Sequence, residues 1–373
     1  MFSEFKKVFN NRDNVAAEWK KSGNKVLGYF SALTPEEMIY AAGILPVQLF
    51  TTNLPLTETK TCLPDFICTH LKDCLEQAMT GKLDYLDGSV LAHACEASRG
   101  FYGVWKLNSG MPQSHFLQVP ATSKKTSRDF FISELKIFKS FLEEMSGNEI
   151  TDDRLIHSIE VYNENRNLMK KLYELRSFSD SSISGSDIID IIKAGLVLPK
   201  DEHNRMLENI ISNYHENPDI DNDQGDVYIC VVSNAIEEAD TVIEVIEKCG
   251  GHVVMDNFSY GMRYCWDTVE SGPDPLGSLA THYLEKIPFP GKFPMAKIVD
   301  SLTGMAEESD ADGMIWLVEK YCDPYMFSYP AVEIKAKEKG IKMMSIEAEE
   351  VGNIPRLQIK VEAFMESLMD EII

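Results

Sequence analysis

Two short stretches share one plan. "DGSVLAHACEA" (residues 87–97) and "DGMIWLVEKYCDP" (residues 312–324) both open on Asp-Gly and continue as a short apolar run. Each then delivers a cysteine followed at once by an acid, Cys95-Glu96 in the first and Cys322-Asp323 in the second. A short apolar run bounded by turn residues reads as a buried strand. A thiol presented at a strand end can ligate a metal or an iron–sulfur cluster, or act as a nucleophile beside a histidine base.

The other cysteines are Cys62, Cys68, Cys74, Cys230, Cys249 and Cys265, and no Cys-x-x-Cys occurs. There is therefore no local signature for zinc or for a cluster. Cys62, Cys68 and Cys74 lie six apart. At ~100° per residue one helix would point them in three directions, so they cannot jointly face one metal. Cys230, inside an apolar strand, and Cys249, at a helix end, read as packing residues. His93 and Cys95 share a strand face if the strand runs that far. A zinc site of His93, Cys95 and His70 thus stands beside the simpler reading of His93 as a partly buried strand residue. Cys95 with a remote histidine also stands on paper as a nucleophile and base, and nothing local singles it out.

The elements that must position these thiols are α/β in kind. Residues 25–50, "KVLGYFSALTPEEMIYAAGILPVQLF", form a β-α-β signal, with a strand at 26–30 and another at 44–50. Between them Thr34, Pro35 and Glu37 suggest a capping box with proline at the first helical position, and Gly43 suggests the stop. A helix is expected over 66–79, broken by Gly81, then the strand leading to Cys95, then another strand at 115–120. From 127 to 216 the pattern is helical. A long helix follows the capping Thr151, with Leu155, Ile159, Tyr162, Met169 and Leu172 as its core face, and further helices are expected at 186–194 and 200–214. "ENPDIDNDQGD" (216–226) reads as a linker. A second α/β unit follows: a strand from 227, a helix ending at Gly250, a strand "HVVMDNF", a strand at 313–318, a helix near 328–339, a strand at 342–346 and a last helix from 354. The expected division is an N-terminal α/β domain (1–126) with Cys68 and Cys95, a helical segment (127–220) and a C-terminal α/β domain (221–373) with Cys322. In such sheets ligands sit beyond the carboxyl ends of the strands. The expected architecture is thus two flavodoxin- or Rossmann-like parallel-sheet lobes, with the thiols meeting in the cleft between domains.

At 373 residues the chain is long enough for two or three domains. Lys plus Arg number 36 against 59 Asp plus Glu, a net charge of −23. So acidic a chain is poorly suited to nucleic acid or an anionic membrane surface. No apolar run is long enough to span a membrane, and the first residues lack the apolar core of a signal peptide. A cytoplasmic setting is expected, where cysteines are thiols or metal ligands rather than disulfides. There is no G-x-x-x-x-G-K-[ST], and "GYFSAL" after the first strand is not G-x-G-x-x-G, so neither nucleotide hydrolysis nor a bound dinucleotide is indicated.

In order and over almost its whole length, the chain resembles the cluster-bearing subunits of the 2-hydroxyacyl-CoA dehydratase and benzoyl-CoA reductase family. The resemblance is carried by "GYFSALTPEEMIYAAGILPVQL", "FICTHLKDCLEQAMTGKLDYLDGSVLAHACE", "ITDDRLIHSIEVYNENRNLMKKLYELR", "ADGMIWLVEKYCDPYMFSYP" and "VEAFMESL". It implies a [4Fe-4S] cluster held by Cys68, Cys95 and Cys322, with one iron left open for a non-protein ligand. It also implies a homologous larger subunit, a separate ATP-hydrolysing activator that injects one low-potential electron, and an acyl-CoA thioester that becomes a ketyl radical anion. Dehydratases then expel the 2-hydroxyl, and ring reductases consume electrons and protons. The length resembles the smaller subunit. Departures from the family pattern are Lys72 where Arg is frequent, Glu96 where Asp is usual, and Gln358-Ile359 where Thr-Arg is usual. Lys72, Arg99 and Lys106 are the cations nearest the ligands in sequence, for CoA phosphates or simply for solvent. Two rivals remain at this point. One is a double-cubane cluster reductase of the same superfamily, which needs further cysteine ligands where only Cys265 lies between Cys249 and Cys322. The other is a non-catalytic scaffold or binding subunit.

Overall fold

The computed structural model describes residues 2–52, 55–176, 183–214, 227–234 and 236–372. In chain order the elements are α1 (Ser3–Asn10), α2 (Arg12–Lys21), β1 (Lys25–Tyr29), α3 (Glu36–Ala41), β2 (Ile44–Gln48), α4 (Thr69–Met79), β3 (Gly88–Ala92), α5 (Glu96–Asn108) and β4 (Ser114–Leu117). Then come α6 (Lys125–Ser146), α7 (Asp152–Arg176), α8 (Gly185–Gly195), α9 (Lys200–Asn213), β5 (Val227–Ser233), α10 (Ile236–Lys248), β6 (Gly251–Phe258) and α11 (Met262–Cys265). The chain closes with α12 (Pro275–Glu285), α13 (Met295–Glu308), β7 (Gly313–Val318), α14 (Asp323–Glu338), β8 (Lys342–Glu347) and α15 (Ile354–Ile372). The stretch expected as a linker, 216–226, lies outside the described residues. Among the described residues no helix is long and apolar enough to cross a membrane.

The expected fold class is found. Two four-stranded sheets are present, ordered β2-β1-β3-β4 and β6-β5-β7-β8, and every recorded strand pairing is parallel. The chain divides into two compact units. One comprises Met1–Leu168, Ile191–Asn209 and Asp267–Lys286; the other comprises Met169–Asp190, Ile210–Trp266 and Ile287–Ile373. Each contains one sheet.

The two Asp-Gly pairs do the same work in their two sheets. Asp87 accepts a hydrogen bond from the Val26 N–H at 2.9 Å and donates its own N–H to the Val26 carbonyl at 2.9 Å. Asp312 accepts from the Tyr228 N–H at 2.8 Å and donates to the Tyr228 carbonyl at 2.8 Å. Val26 and Tyr228 are each the second residue of the first strand of their sheet. The reciprocal pair pins the register, setting Gly88 opposite Leu27 and Gly313 opposite Ile229. Both glycines are needed for space. A Cβ on Gly88 would fall 2.9 Å from the Gln113 carbonyl oxygen, and one on Gly313 would fall 2.8 Å from Leu368. Aspartate fixes where the strand starts and glycine lets it pack, so the run that follows ends at a set height in the sheet.

Several boundaries differ from the sequence reading. The strand toward Cys95 stops at Ala92, because Cys95 instead caps α5. His93 and Cys95 therefore do not share a strand face. The helix expected over 66–79 begins at Thr69, after an extended Cys68 (ψ 152°). The helix expected near 328 starts at Asp323, with Pro324 in its first turn, where a missing N–H is tolerated. Thr34 and Glu37 do not form a capping box. Thr34 Oγ1 is buried without a hydrogen-bond partner, and the Glu37 carboxylate is taken instead by the Arg166 guanidinium and by the Tyr283 hydroxyl at 2.8 Å. Thr151 does cap α7, accepting from the Arg154 N–H at 3.3 Å, and Leu155, Ile159, Tyr162, Met169 and Leu172 are all buried.

Candidate cysteine site

Cys68, Cys95 and Cys322 occupy one kind of position. Each is the residue immediately before a helix: Cys68 before α4, Cys95 before α5 and Cys322 before α14. All three are half-buried. A helix N-terminus presents free N–H groups and the positive end of the helix dipole. At Cys95 the arrangement is a reciprocal box. The Cys95 sulfur faces the Ser98 backbone N–H, and the Cys95 N–H donates to Ser98 Oγ at 3.3 Å.

Cys95 and Cys322 are also equivalent in topology. In the order β2-β1-β3-β4 the chain reverses direction across the sheet between β1 and β3, and in β6-β5-β7-β8 it reverses between β5 and β7. The carboxyl ends flanking such a reversal are where open α/β sheets bind ligands. Cys95 follows β3 and Cys322 follows β7. The turn into Cys322 is strained: Tyr321 holds a left-handed φ of 65°, a conformation non-glycine residues seldom take and one that clusters at functional sites.

Packing holds the first two thiols in place. Phe30, just beyond β1, stacks edge-on against His70 in the first turn of α4 and against Phe101 and Trp105 of α5. Trp105 Nε1 donates to Ser89 Oγ on β3 at 2.9 Å. The loop ahead of Cys68 is tied to its own helix through Glu76, which accepts from Thr57 Oγ1 at 2.7 Å and from the Glu58 and Thr59 N–H groups at 3.0 Å. Burial alone would raise the Glu76 pKa. The hydrogen bonds from the Thr59 N–H, the Thr57 hydroxyl and the Glu58 N–H outweigh it and hold the pKa down to about 2, against an ordinary 4.5. A depressed carboxyl contributes stability above its unfolded pKa, and that stability is lost as pH falls through the folded one. Between about pH 4.5 and about 2 the urea midpoint of the wild-type chain should therefore fall more steeply than that of Glu76→Gln. Parallel acid limbs would contradict this anchor.

The remaining cysteines differ in setting. Cys74, Cys230 and Cys265 are buried, and burial followed by the charge of Asp256 pushes the Cys230 thiol far up. Cys249 sits at the carboxyl end of α10, where burial and then Glu362 raise its thiol. Cys62 follows a 3₁₀ turn and donates to the Thr59 carbonyl at 3.6 Å. Among the described residues no three His, Cys, Asp or Glu side chains are gathered as a metal site. The zinc alternative loses its premise. The His70 ring lies 3.9 Å from Cys74 Sγ, and His93 Nε2 lies 3.6 Å from Glu96 Oε1. The three cations closest in sequence to the candidate cysteines are partly engaged: Lys72 donates to the Asp65 carbonyl at 2.8 Å, Arg99 pairs with Glu96, and Lys106 is exposed.

A family model described as "2-hydroxyglutaryl-CoA dehydratase, D-component" matches residues 32–368. The chain belongs to that family. It is 26% identical over 370 residues to the (R)-phenyllactyl-CoA dehydratase beta subunit of Clostridium sporogenes, covering 98% of each chain. It is 27% identical to one subunit of the benzoyl-CoA reductase of Thauera aromatica, covering 97% of this chain and 96% of that one. It is 25% identical to the beta subunit of the (R)-2-hydroxyglutaryl-CoA dehydratase of Acidaminococcus fermentans, covering 99% of each.

Two structural features of this dehydratase-family chain escape sequence reading. One is the buried pair Glu37–Arg166. Its signal was position 166 itself, which falls on the apolar stripe of α7 four residues after Tyr162. The other is Arg263, between β6 and α12, which carries no sequence signal beyond the "YGMRYC" turn that holds it.

Proposed function

We propose that this chain is the smaller, cluster-carrying subunit of an activator-dependent acyl-CoA enzyme, a 2-hydroxyacyl-CoA dehydratase or a benzoyl-CoA-type reductase. Cys68, Cys95 and Cys322 are its [4Fe-4S] ligands. The observation that carries the reading is the repeated placement of a half-buried thiol at a helix start, with two of the three following the third strand at the reversal point of a parallel sheet. The donor set suits iron and sulfide, since cysteine thiolates are the usual cluster ligands. A bound cluster supplies one-electron chemistry at low potential. The chain's own residues hold the thiols at fixed heights through Asp87 and Asp312, and keep the helices that carry them packed on the sheets.

The relatives are each named as a single subunit of an enzyme, which supports a partner subunit; a homologous, larger partner and a separate ATP-hydrolysing activator complete the proposed assembly. Large apolar side chains lie exposed beside two candidate ligands, with Phe66 69% and Phe327 75% accessible, and Tyr321 and Met326 also open. Such side chains around a polar site suit a subunit interface. The test is anaerobic purification with and without a co-expressed partner, followed by iron and acid-labile sulfide assay. About four irons and as many sulfides per chain are expected; zinc without iron would overturn the reading.

The isolated chain should be catalytically silent. It carries no phosphate-binding G-x-x-x-x-G-K-[ST], and the relatives are named as parts of larger enzymes. Phosphate release from ATP and turnover of an acyl-CoA, both assayed on the pure chain, should remain at background. Activity in either assay without a partner contradicts this assignment.

A further inference from the structure

Arg263 is a buried cation with no carboxylate partner among the described residues. It lies in α11, directly after β6, and only 4% of it is accessible. Its Nη1 donates to the Tyr325 hydroxyl at 3.1 Å, and its Nη2 donates to the Asn257 carbonyl at 3.2 Å and to Asn257 Oδ1. The guanidinium also lies 6.0 Å from the ring centres of Phe289 and Tyr325. All of these partners are neutral, and among the described residues no acid pairs with it. Its Nε, also buried, has no hydrogen-bond partner. Burying a charge among neutral groups is costly, and a cation kept this way calls for an anion that none of the described residues supplies.

The position of Arg263 indicates which anion. Tyr325 sits in the first turn of α14, three residues after Cys322, and its hydroxyl also reaches the Ser233 carbonyl at the end of β5, at 3.4 Å. Trp316 of β7 packs on the same ring. Arg263 is thus fixed to the helix turn that starts at Cys322, at the carboxyl end of the second sheet. With three thiolates on its irons, an iron–sulfur centre bound there would be net anionic.

We infer that Arg263 is a positioning residue that raises the reduction potential of the cluster by fixing a buried positive charge to the helix turn that starts at Cys322. This rests on the proposal that Cys322 is a cluster ligand. Guanidinium suits the role because its rigid planar fork of donors can be held by several fixed acceptors at once. Tyr325 and Asn257 orient it, and neither neutralises it.

The test uses Arg263→Lys and Arg263→Met in the anaerobically purified chain, with redox titration followed by electron paramagnetic resonance and with thermal melting before and after cluster removal. Arg263→Met should keep its fold, shift the midpoint potential to more negative values, and melt higher than wild type once the cluster is removed, because the lone buried charge is gone. Arg263→Lys should stay close to the wild-type potential. If Arg263→Met holds no iron while Arg263→Lys holds it normally, the charge is again what matters. Two results overturn the inference: potentials unchanged in both variants, or equal loss of iron in both, which marks a packing role. A wild-type chain that never takes up iron refutes the function proposed above instead, and an apo-chain of Arg263→Met that melts no higher then refutes the uncompensated charge by itself.

Discussion

Cys68→Ser, Cys95→Ser and Cys322→Ser should each strip most of the iron from the anaerobically purified chain, while Cys249→Ser should keep it. A serine hydroxyl stays protonated where a thiol ionises, so it is a poor iron ligand. The three positions share a helix N-terminus and partial exposure. Cys249 is the informative control because it is also half-buried, yet it lies at the negative end of α10 and its thiol is pushed up by burial and by Glu362. Far-ultraviolet circular dichroism of each variant would separate loss of metal from loss of fold. Equal iron in all four variants would remove the ligand assignment.

Arg166→Met should destabilise the chain by about 3–5 kcal/mol, read as a lower urea midpoint, because it leaves a buried carboxylate without its counter-ion. Both partners are almost fully buried, at 1% and 0% side-chain exposure. For Glu37, burial works to raise the pKa, but the Arg166 charge and its hydrogen bond outweigh it, so the carboxyl is held below its ordinary range and stays ionised. Tyr283 gives the same carboxylate a second donor and Ser158 Oγ donates to the Glu37 carbonyl at 2.7 Å. The neighbouring pair behaves differently. Burial raises Glu36 and lowers Lys200 despite their 3.6 Å approach, so both are driven toward their neutral forms. Removing both charges in Glu37→Met/Arg166→Met should recover much of the loss. A double variant as unstable as Arg166→Met alone would mean that packing, not charge, sets the effect.

The strands were legible because their signals are local. Asp87-Gly88 and Asp312-Gly313 mark strand starts, and the apolar runs behind them fill the sheets. What the sequence could not give was the place where each strand stops being a strand. Cys95 and Asp323-Pro324 are compatible with an extended end or a helix start, and the fold takes the helix in both places. Glu37 fitted a capping box by spacing. It was drawn away by a partner 129 residues distant, an attraction no local pattern contains. Arg263 was hidden for the same reason: the walls that bury it come from Asn257, Phe289 and Tyr325, and they converge only in the fold.

The unit that holds Cys68 and Cys95 is built from three separated stretches of chain, the last of them Asp267–Lys286. On the ribosome this order becomes a schedule. Glu37 is made 129 positions before Arg166 and 246 before Tyr283, the residue on α12 that completes its hydrogen bonds. Both strands β5 and β6 of the other sheet are synthesised in between. A nascent chain cannot close its first sheet's surroundings while that sheet is the only one made, in contrast to domains that fold one after another as they emerge. Cys322 appears later still.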